Sequence, residues 1–309
     1  MRIGIDVGGT KVEGVALAND GQELARHRVA TPTSYPAVLE AIAGLVSSLE
    51  SETTQRGSVG VGTPGFLQPG GLIRNSNLQC LNDQAPDRDL SKALQRPIRL
   101  DNDANCFVLS EATDGAGARP PTADPARLDV VFGATLGTGV GGGIVVEGRV
   151  LSGANGAAAE WSHTTLPFLR PGETSPYVCS CGHPGCIESF ASGRGLAGAY
   201  REVSGGGESL DAPEIGRRVA SGDDKIARAA FELYEDRLAR ALAGVINLID
   251  PRAIVLGGGV SNNARIFSRL PLIIESYTVA KNLRTQFVQA KHGDASGVRG
   301  AACLWPNTP

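Results

Sequence analysis

The alternation of apolar and polar positions predicts strands at the start of the chain and helices alternating with strands later. Two runs rich in Ile and Val, residues 2–7 and 12–17, predict a hairpin, because a tight glycine turn separates them. Further strands are predicted at residues 22–30, 58–62, 98–100, 130–132, 144–146, 253–256 and 286–290. Helical spacing of apolar residues predicts helices at 38–49, 87–95, 226–249, from about Ser261, and at 296–304. This order of elements is typical of α/β domains.

The pattern of the first hairpin recurs after a segment rich in Gly, Pro and Ala at residues 115–127, which is the best candidate for a domain junction. Beyond it, residues 130–132 and 144–146 flank a second glycine-dense turn at 137–143. Two strand–turn–strand units, one opening each half, predict duplicated α/β domains. We expect an N-terminal lobe over residues 1–118 and a larger C-terminal lobe over residues 119–291.

Composition and charge limit the classes of partner that we expect the protein to bind. The 309 residues include 29 basic and 32 acidic side chains, a formal net charge of −3, which offers no electrostatic footprint for nucleic acid or an anionic membrane. Residues 2–6 have no signal-peptide core, and no stretch approaches the roughly 18 apolar residues of a membrane span. We therefore expect a soluble cytoplasmic protein with no nucleic-acid or membrane partner. The 41 glycines are clustered, as in loops where a backbone approaches a ligand closely.

The first glycine cluster has the groups that surround a phosphate: bare backbone N–H groups, a hydroxyl and a cation. Its members are Asp6, Gly8, Gly9, Thr10 and Lys11. Asp6 ends a predicted strand, where a carboxylate can hold the Mg²⁺ of a nucleotide. The alternative is a hairpin turn that needs glycine only for its positive φ.

Two more glycine clusters lie in the second half. The second, with Gly137, Thr138, Gly139 and Gly141, matches G-x-G-x-x-G, but the residues after it predict a strand. The dinucleotide motif must open a helix, so this argues against an NAD-binding fold. The third cluster, Gly257, Gly258 and Gly259, lies between a strand and a helix, where adenine could rest against bare backbone. Together the three clusters predict a nucleotide site.

A cysteine cluster predicts a structural zinc. Cys179, Cys181 and Cys186 form C-x-C-x₄-C, and His163 lies sixteen residues upstream. Three thiolates and one imidazole are a closed tetrahedral set that structural zinc prefers. His183 is a rival fourth ligand, and three reduced cysteines in a loop are the alternative. The remaining cysteines, Cys80, Cys106 and Cys303, are interpreted as core or incidental residues.

Two acids accompany this metal set: Glu160 precedes His163 by three residues, and Glu188 follows Cys186 by two. A metal that fixes His163 and Cys186 would also fix the backbone carrying both carboxylates. With Asp103 they make three acids for which the sequence shows no matching cations. Such a set suits a neutral polyhydroxyl substrate, a sugar, because carboxylates accept hydrogen bonds from hydroxyl groups.

The run Asp101-Asn102-Asp103-Ala104-Asn105 joins a predicted strand to a helical pattern. Taken alone, it favours a solvated turn with a helix N-cap, where Asp and Asn are the preferred residues. The sharper hypothesis makes Asp103 a base that accepts the proton of a substrate hydroxyl.

These motifs together resemble the ROK family of bacterial sugar kinases and repressors, over essentially the whole chain. The motifs are Asp6-x-Gly8-Gly9-Thr10-Lys11, Asp101-Asn102-Asp103-x-Asn105, Gly137-Thr138-Gly139-x-Gly141, Glu160-x-x-His163 and Cys179-x-Cys181-Gly182-x-x-Gly185-Cys186-x-Glu188. The resemblance implies a duplicated actin-like ATPase (ribonuclease H-like) fold, with nucleotide and sugar in an interdomain cleft. It also implies that the terminal helix, about residues 292–309, returns to the first lobe.

The resemblance assigns roles to residues. Asp103 would be the catalytic base; Asn77, Asn102, Asp103, Glu160, His163 and Glu188 would bind the sugar; the glycine clusters would bind ATP and Mg²⁺; and His163, Cys179, Cys181 and Cys186 would hold zinc. The repressor branch carries an N-terminal helix-turn-helix; the first strand here begins at residue 2, which favours a kinase. Homodimers are common in the family, so the resemblance also implies a homodimer.

Within the family, the run Asn155-Gly156, the segment Leu166-Pro167-Phe168 and the ending from Lys291 are most similar to bacterial fructokinases of the manno(fructo)kinase type. This similarity predicts conversion of D-fructose and ATP to D-fructose 6-phosphate and ADP. N-acetylglucosamine kinases share almost as much; they, or a glucose or mannose kinase, are the alternative, and a non-catalytic sugar-sensing repressor is a weaker one. Ala159 and Ser162 depart from the family pattern, which usually has glycine at both positions.

Overall fold

The computed structural model describes residues 1–306, which contain two five-stranded sheets and nine α-helices. The strands are β1 Arg2–Val7, β2 Lys11–Leu17, β3 Glu23–Ala30, β4 Ser58–Thr63, β5 Phe66–Leu67, β6 Ile73–Arg74, β7 Ile98–Asn102, β8 Val130–Leu136, β9 Val140–Val146, β10 Arg149–Val150, β11 Ala253–Gly257 and β12 Gln286–Gln289. The helices are α1 Tyr35–Thr53, α2 Pro86–Leu94, α3 Asp103–Thr113, α4 Ile187–Ala191, α5 Gly193–Val203, α6 Ala212–Ser221, α7 Lys225–Ile249, α8 Arg265–Ile274 and α9 Ser296–Cys303. The predicted α/β class is confirmed.

The two large sheets have the same strand order. The first runs β3-β2-β1-β4-β7 and the second β10-β9-β8-β11-β12, while β5 and β6 form a separate ribbon. In the first, β1 is antiparallel to β2 and parallel to β4; in the second, β8 is parallel to β11, which is parallel to β12. Each sheet therefore combines a glycine-turn hairpin with two parallel strands, as the recurring sequence pattern predicts.

The chain divides into two compact units. Unit 1 comprises residues 1–125, 143–158 and 291–309, and unit 2 comprises residues 126–142 and 159–290. This division by compactness differs from the predicted lobes, because residues 143–158 group with unit 1 and the first change of unit falls after Pro125. Helix α9 belongs to unit 1; residues 307–309 of the predicted terminal segment lie outside the described residues.

Unit 1 is built around its sheet and helix α1. The helix buries Val38, Ile42, Leu45, Val46 and Leu49, the five residues whose spacing predicts it. They join one apolar cluster with strand residues such as Ile3, Ile5 and Val61. Burial of this stripe stabilises the helix more than its own propensity does, since isolated helices are marginal in water.

Helix α9 lies in direct backbone contact with its neighbours because three glycines leave room for it. A Cβ atom would be 2.0 Å from the Val298 carbonyl oxygen at Gly4, 1.9 Å from that of Ala301 at Gly60, and 1.7 Å from that of Cys106 at Gly300. These contacts place α9 against β1, β4 and α3. Since α3 begins at Asp103, the same packing fixes the helix that carries the acidic motif.

A second link holds the chain entering α9. The buried Glu111 carboxylate of α3 accepts hydrogen bonds from the backbone N–H groups of Lys291 and His292 and from Ser296 Oγ, at 2.8–2.9 Å. The same carboxylate also accepts the Ala116 N–H at 2.9 Å. Breaking the link would leave a buried carboxylate without its donors, which is costly, so we expect the segment to stay attached to α3.

The prediction of a helix from about Ser261 is wrong in its start. Residues 259–262 form one 3₁₀ turn, and α8 begins only at Arg265. The reason is local: Ser261 Oγ donates to the Gly258 carbonyl, and the Asn263 side chain accepts from the Arg265 N–H, so polar side chains satisfy the backbone before the helix starts. Helices α4, α5 and α6 were not predicted. Among residues 1–306, no helix is long and apolar enough to cross a membrane.

Candidate functional site

In unit 1, the acidic run divides its roles between neighbouring residues. Asn102 is the N-cap of α3: its Oδ1 accepts the N–H groups of Ala104 at 2.9 Å and Asn105 at 3.4 Å, and its Nδ2 donates to the Gly65 carbonyl at 2.8 Å. Asp103 is the first helical residue and is exposed. The helix-cap interpretation therefore holds for Asn102, while Asp103 lies exposed in the first turn of the helix.

Asp101 supports the Asn102 cap and the start of α3 through hydrogen bonds. One of its oxygens accepts the Asn105 amide at 2.7 Å and the Asn102 N–H at 2.8 Å. Burial raises the pKa of Asp101, and these two hydrogen bonds oppose that effect. Asp101 and Asn105 thus brace the turn from which Asp103 projects.

Asp6, near the end of β1, is a half-buried acid close to Asp103. Burial raises its pKa to about 7; the carboxylates of Asp103 and Glu13 add to the rise, and Lys11 opposes it. The carboxylate lies beside glycines on both sides, with an added Cβ on Gly297 only 3.0 Å from Asp6 Oδ2. Neighbouring carboxylates that repel each other in this way are a suitable donor set for a hard divalent cation such as Mg²⁺.

The first glycine turn is open. Gly8 N–H donates to the Lys11 carbonyl at 2.9 Å, closing the turn, and Thr31 Oγ1 donates to the Gly8 carbonyl. Neither Gly8 nor Gly9 has a left-handed φ, so the alternative that this turn needs glycine for positive φ is wrong. A Cβ on Gly9 would meet nothing within 4 Å. Lys11 pairs with Glu13, which Arg26 also holds, at 2.5 and 2.7 Å.

In unit 2, the second and third glycine clusters come together. Gly137 N–H donates to the Gly139 carbonyl at 3.0 Å, and the chain continues as strand β9. The NAD alternative is therefore wrong, because its motif must open a helix. Gly258 has a φ of +83°, and a Cβ there would be 2.6 Å from the Leu136 carbonyl oxygen. The third cluster thus packs on the strand end from which the second turn starts.

The predicted zinc ligands converge in unit 2. One ligand atom from each of His163, Cys179, Cys181 and Cys186 lies within 4.8 Å of the others. Cys179 Sγ is 3.3 Å from His163 Nδ1, and the sulfurs of Cys181 and Cys186 are 3.5 Å apart. Tetrahedral zinc, with Zn–S near 2.3 Å, requires ligand atoms about 3.5–3.8 Å apart, so the set fits the metal. The rival ligand His183 lies outside the group.

Glu160 and Glu188, two candidate sugar ligands, lie beside this cluster. His163 directs Nδ1 at Cys179, and its Nε2 is 3.7 Å from a Glu160 oxygen, so the two ring nitrogens face different groups. Burial raises the pKa of Glu160. The buried Glu188 carboxylate accepts from Cys179 Sγ at 3.6 Å and lies over the second glycine turn, where a Cβ on Gly139 would be 3.1 Å from Oε2.

The expectation that these acids have no matching cation is wrong for Glu188. Arg194, in the first turn of α5, donates to Glu188 Oε1 at 3.2 Å. No spacing in the sequence indicates this pair, because a break at Ser192 between α4 and α5 brings the two side chains together. A regular helix would not face residues six apart toward each other.

Of the two departures from the family pattern, Ala159 keeps a glycine-like conformation, and nothing in the structure explains Ser162. Ala159 has a φ of +65°, so it keeps a left-handed conformation that glycine adopts more easily. Trp161 is buried, with Nε1 donating to the Gly141 carbonyl at 3.1 Å and its ring edge-on to Phe132. Trp161 therefore connects the Glu160–His163 turn to the glycine strand. The last candidate, Asn77, is exposed in a bend between β6 and α2 of unit 1.

Comparison with known proteins settles the family. The profile of the ROK family matches residues 2–308. This protein belongs to the ROK family. The ROK protein is 40% identical to the N-acetyl-D-glucosamine kinase of Pectobacterium carotovorum over 98% of both chains. It is 38% identical to the enzyme of the same name from Pasteurella multocida over 99% of both chains.

Solved structures of ROK proteins are also similar to this chain. A ROK hexokinase from Thermus thermophilus superposes with a TM-score of 0.82 at 31% identity, covering 98% of this chain and 97% of the other. A Streptomyces griseus ROK glucokinase in complex with glucose and AMPPNP gives 0.76 at 26% identity, covering 99% of each chain. The predicted actin-like two-lobe fold and the resemblance to ROK sugar kinases are confirmed. The relatives favour the alternative substrate, N-acetylglucosamine, over the predicted D-fructose.

Proposed function

We propose that this ROK protein is an ATP-dependent kinase of N-acetyl-D-glucosamine. The observation that carries the proposal is the name shared by full-length relatives from several bacteria, at 36–40% identity. The donor sets in the two units support a sugar kinase: exposed and buried acids beside an open glycine turn in unit 1, and hydroxyl-accepting carboxylates over a second glycine turn in unit 2.

Asp103 is the proposed catalytic base. Its carboxylate would accept the proton of the attacking sugar hydroxyl as that oxygen forms a bond to the γ-phosphorus and the bond to the bridging oxygen breaks, releasing ADP. Exposure at the start of α3 lets it reach a substrate, and the Asn102 cap with the Asp101 brace holds it in place. Phosphoryl transfer asks mainly for positioning and electrostatic stabilisation, which suits this braced turn.

The remaining sugar ligands are assigned by the groups they present. Glu160 and Glu188 would accept hydrogen bonds from sugar hydroxyls, and His163 would use Nε2 while Nδ1 faces the metal set. Asn77 would contribute from unit 1. Asn102 uses Oδ1 for the cap and one N–H for Gly65, so its role toward the sugar is limited to the second amide N–H.

The glycine clusters are proposed to bind the nucleotide. In unit 1, Gly8, Gly9, Thr10 and Lys11 would contact phosphate oxygens, and Asp6 would hold Mg²⁺, which when bound neutralises phosphate charge. In unit 2, Gly137, Thr138, Gly139 and Gly141 would contact phosphate oxygens, and Gly257, Gly258 and Gly259 would bind the adenine. Zinc is proposed at His163, Cys179, Cys181 and Cys186, where it would fix the segments carrying Glu160 and Glu188.

The direct test is ADP release measured over a panel of N-acetylglucosamine, glucose, mannose and fructose. We expect kcat/KM to be highest for N-acetylglucosamine. A higher value for fructose would restore the prediction made from the sequence, and a protein that releases no ADP with any sugar of the panel would overturn the proposed kinase.

Asp103→Asn tests the base. We expect kcat to fall by about 10²–10⁴-fold, the usual contribution of a general base, while the Kd of the sugar changes little. The exposed Asp294→Asn in the same unit is the matched control and should keep full turnover. If Asp103→Asn retains more than a few per cent of the rate, the assignment is wrong.

A further inference from the structure

Arg194 lies in unit 2, and its guanidinium contacts three groups: a carboxylate, a backbone carbonyl and an aromatic ring. Nη2 donates to Glu188 Oε1 at 3.2 Å, and Nε donates to the Thr138 carbonyl at 3.2 Å. The face of the guanidinium lies 4.3 Å from the centre of the Tyr177 ring. The Tyr177 hydroxyl in turn donates to the Glu188 carbonyl oxygen at 3.1 Å and lies 2.9 Å from Ser192 Oγ. Stacking and two directed hydrogen bonds thus fix the plane of this guanidinium.

The two groups that Arg194 joins are those we assign to the two substrates. Glu188 is the proposed sugar ligand, and Thr138 lies in the glycine turn proposed for the phosphates. The helix that carries Arg194 is itself attached to that turn, because Gly193 N–H donates to the Gly137 carbonyl at 2.7 Å. Any displacement of the turn is therefore passed to the base of α5 and to the guanidinium.

The strength of the connection lies in its geometry and not in its charge alone. The Arg194 side chain is about half exposed, and a simple ion pair at such a position contributes little. A planar guanidinium that donates in two directions while stacking on an aromatic ring constrains both partners together. A lysine at this position would supply the charge without the fork or the stacking face.

We propose that Arg194 is a positioning residue that couples sugar binding to nucleotide binding. The inference rests on the proposed function, from which it takes the roles of Glu188 and of the turn. Nucleotide phosphates that order the Thr138 segment also order Arg194 and hence Glu188, so the sugar meets a carboxylate already held in place. By thermodynamic linkage, bound sugar must favour the nucleotide by the same factor.

The test is the Kd of N-acetylglucosamine, measured by calorimetry with and without saturating Mg²⁺–AMPPNP, for four proteins: wild type, Arg194→Gln, Arg194→Lys and Arg201→Gln. Arg201 is an exposed arginine in the last turn of the same helix and is the matched control. We expect the nucleotide to tighten sugar binding about fivefold or more in the wild type and the control, the usual lower range of allosteric coupling. In both Arg194 variants the ratio should fall to near one, with unchanged melting temperatures.

The outcomes separate the inference from the proposed function. Coupling that persists in Arg194→Gln, or a wild type that shows no coupling, overturns the role of Arg194. If Arg194→Gln does not fold, Arg194→Lys, which keeps the charge, decides the question alone. A wild type that phosphorylates no sugar overturns the proposed function instead, whatever the ratio of Kd values.

Discussion

The two glycine-turn hairpins of this ROK protein occupy equivalent places in sheets of the same strand order, yet their glycines serve different purposes. In the β1–β2 hairpin of unit 1, a Cβ on Gly9 would meet no atom within 4 Å. In the β8–β9 hairpin, a Cβ on Gly142 would lie 2.4 Å from the Trp161 ring, and one on Gly139 would lie 3.1 Å from Glu188. The space beside Gly9 is therefore open, whereas the space beside Gly142 and Gly139 is occupied by other side chains.

The difference shows how a duplicated hairpin can be adapted to two tasks. The turn of unit 1 has open space at Gly9, and the acids Asp6 and Asp103 lie in the same unit. The filled turn of unit 2 is joined by Trp161 and Arg194 to the segments that carry the proposed sugar ligands. A side chain would have no room at Gly142, whereas it would have open space at Gly9.

Half-buried acids also differ between the units. Asp6 of unit 1 has a pKa raised to about 7, because burial and nearby carboxylates outweigh Lys11. Glu173 of unit 2 lies between the buried guanidiniums of Arg237 and Arg240 at 2.7–2.8 Å, and its pKa is lowered to about 2 because their hydrogen bonds outweigh the opposing effect of burial. Asp6 has carboxylates as neighbours, whereas Glu173 is paired with two guanidiniums of α7.

The largest effect should come from removing the metal set of unit 2, which has no counterpart among the residues of unit 1 that the structure describes. We expect Cys179→Ser to lose the zinc, about one per chain in the wild type, and to raise the KM for the sugar by about 10–100-fold. The KM for ATP should change less. Elemental analysis and initial-rate kinetics measure both effects.

The half-buried Cys80 of unit 1 provides the matched control, since Cys80→Ser should keep the zinc and the KM. A zinc-free protein with full activity would refute the metal site and, with it, this difference between the units.

A pair of alanine substitutions tests the two turns directly. Gly142→Ala should lower the free energy of unfolding by about 1–3 kcal/mol, the usual cost of overpacking, because the Trp161 ring and the Ala159 carbonyl leave no room. Gly9→Ala should leave stability within about 1 kcal/mol, since an alanine without strain mainly restricts the unfolded chain. Its effect should be a weaker affinity for Mg²⁺–ADP. Urea unfolding and calorimetry distinguish the two, and equal losses of stability would remove the contrast.

The smallest predicted effect is a loss of stability at acidic pH. Because the folded-state pKa of Glu173 lies below its unfolded value, its contribution to stability is present above pH 4.5 and is lost as the pH falls toward 2. With a folded pKa of about 2, we expect this group to account for about 1 kcal/mol of lost stability between pH 7 and pH 4. Titration of the labelled Glu173 carboxyl by NMR checks the premise; a pKa at or above 4.5 would contradict it.

Local patterns in the sequence determined much of this protein. The spacing of apolar residues placed α1, α7 and most strands, because burial of one face stabilises a helix or strand wherever that period occurs. The cysteine spacing with His163 placed a set that the structure brings within zinc-binding distances, since a metal set has strict demands on residue type. The recurring glycine hairpin indicated the duplication that the strand orders display. The joint motifs identified the ROK family.

Tertiary structure alone decided the rest, because it depends on residues meeting across breaks in the chain. The pairing of Arg194 with Glu188 arises where α4 and α5 are separated at Ser192, and no linear period encodes it. The division of roles between Asn102, which caps the helix, and Asp103, which is exposed, depends on the register at which α3 starts. Likewise, glycine clusters look alike as letters; only the neighbouring atoms show that Gly9 faces open space and Gly142 faces Trp161.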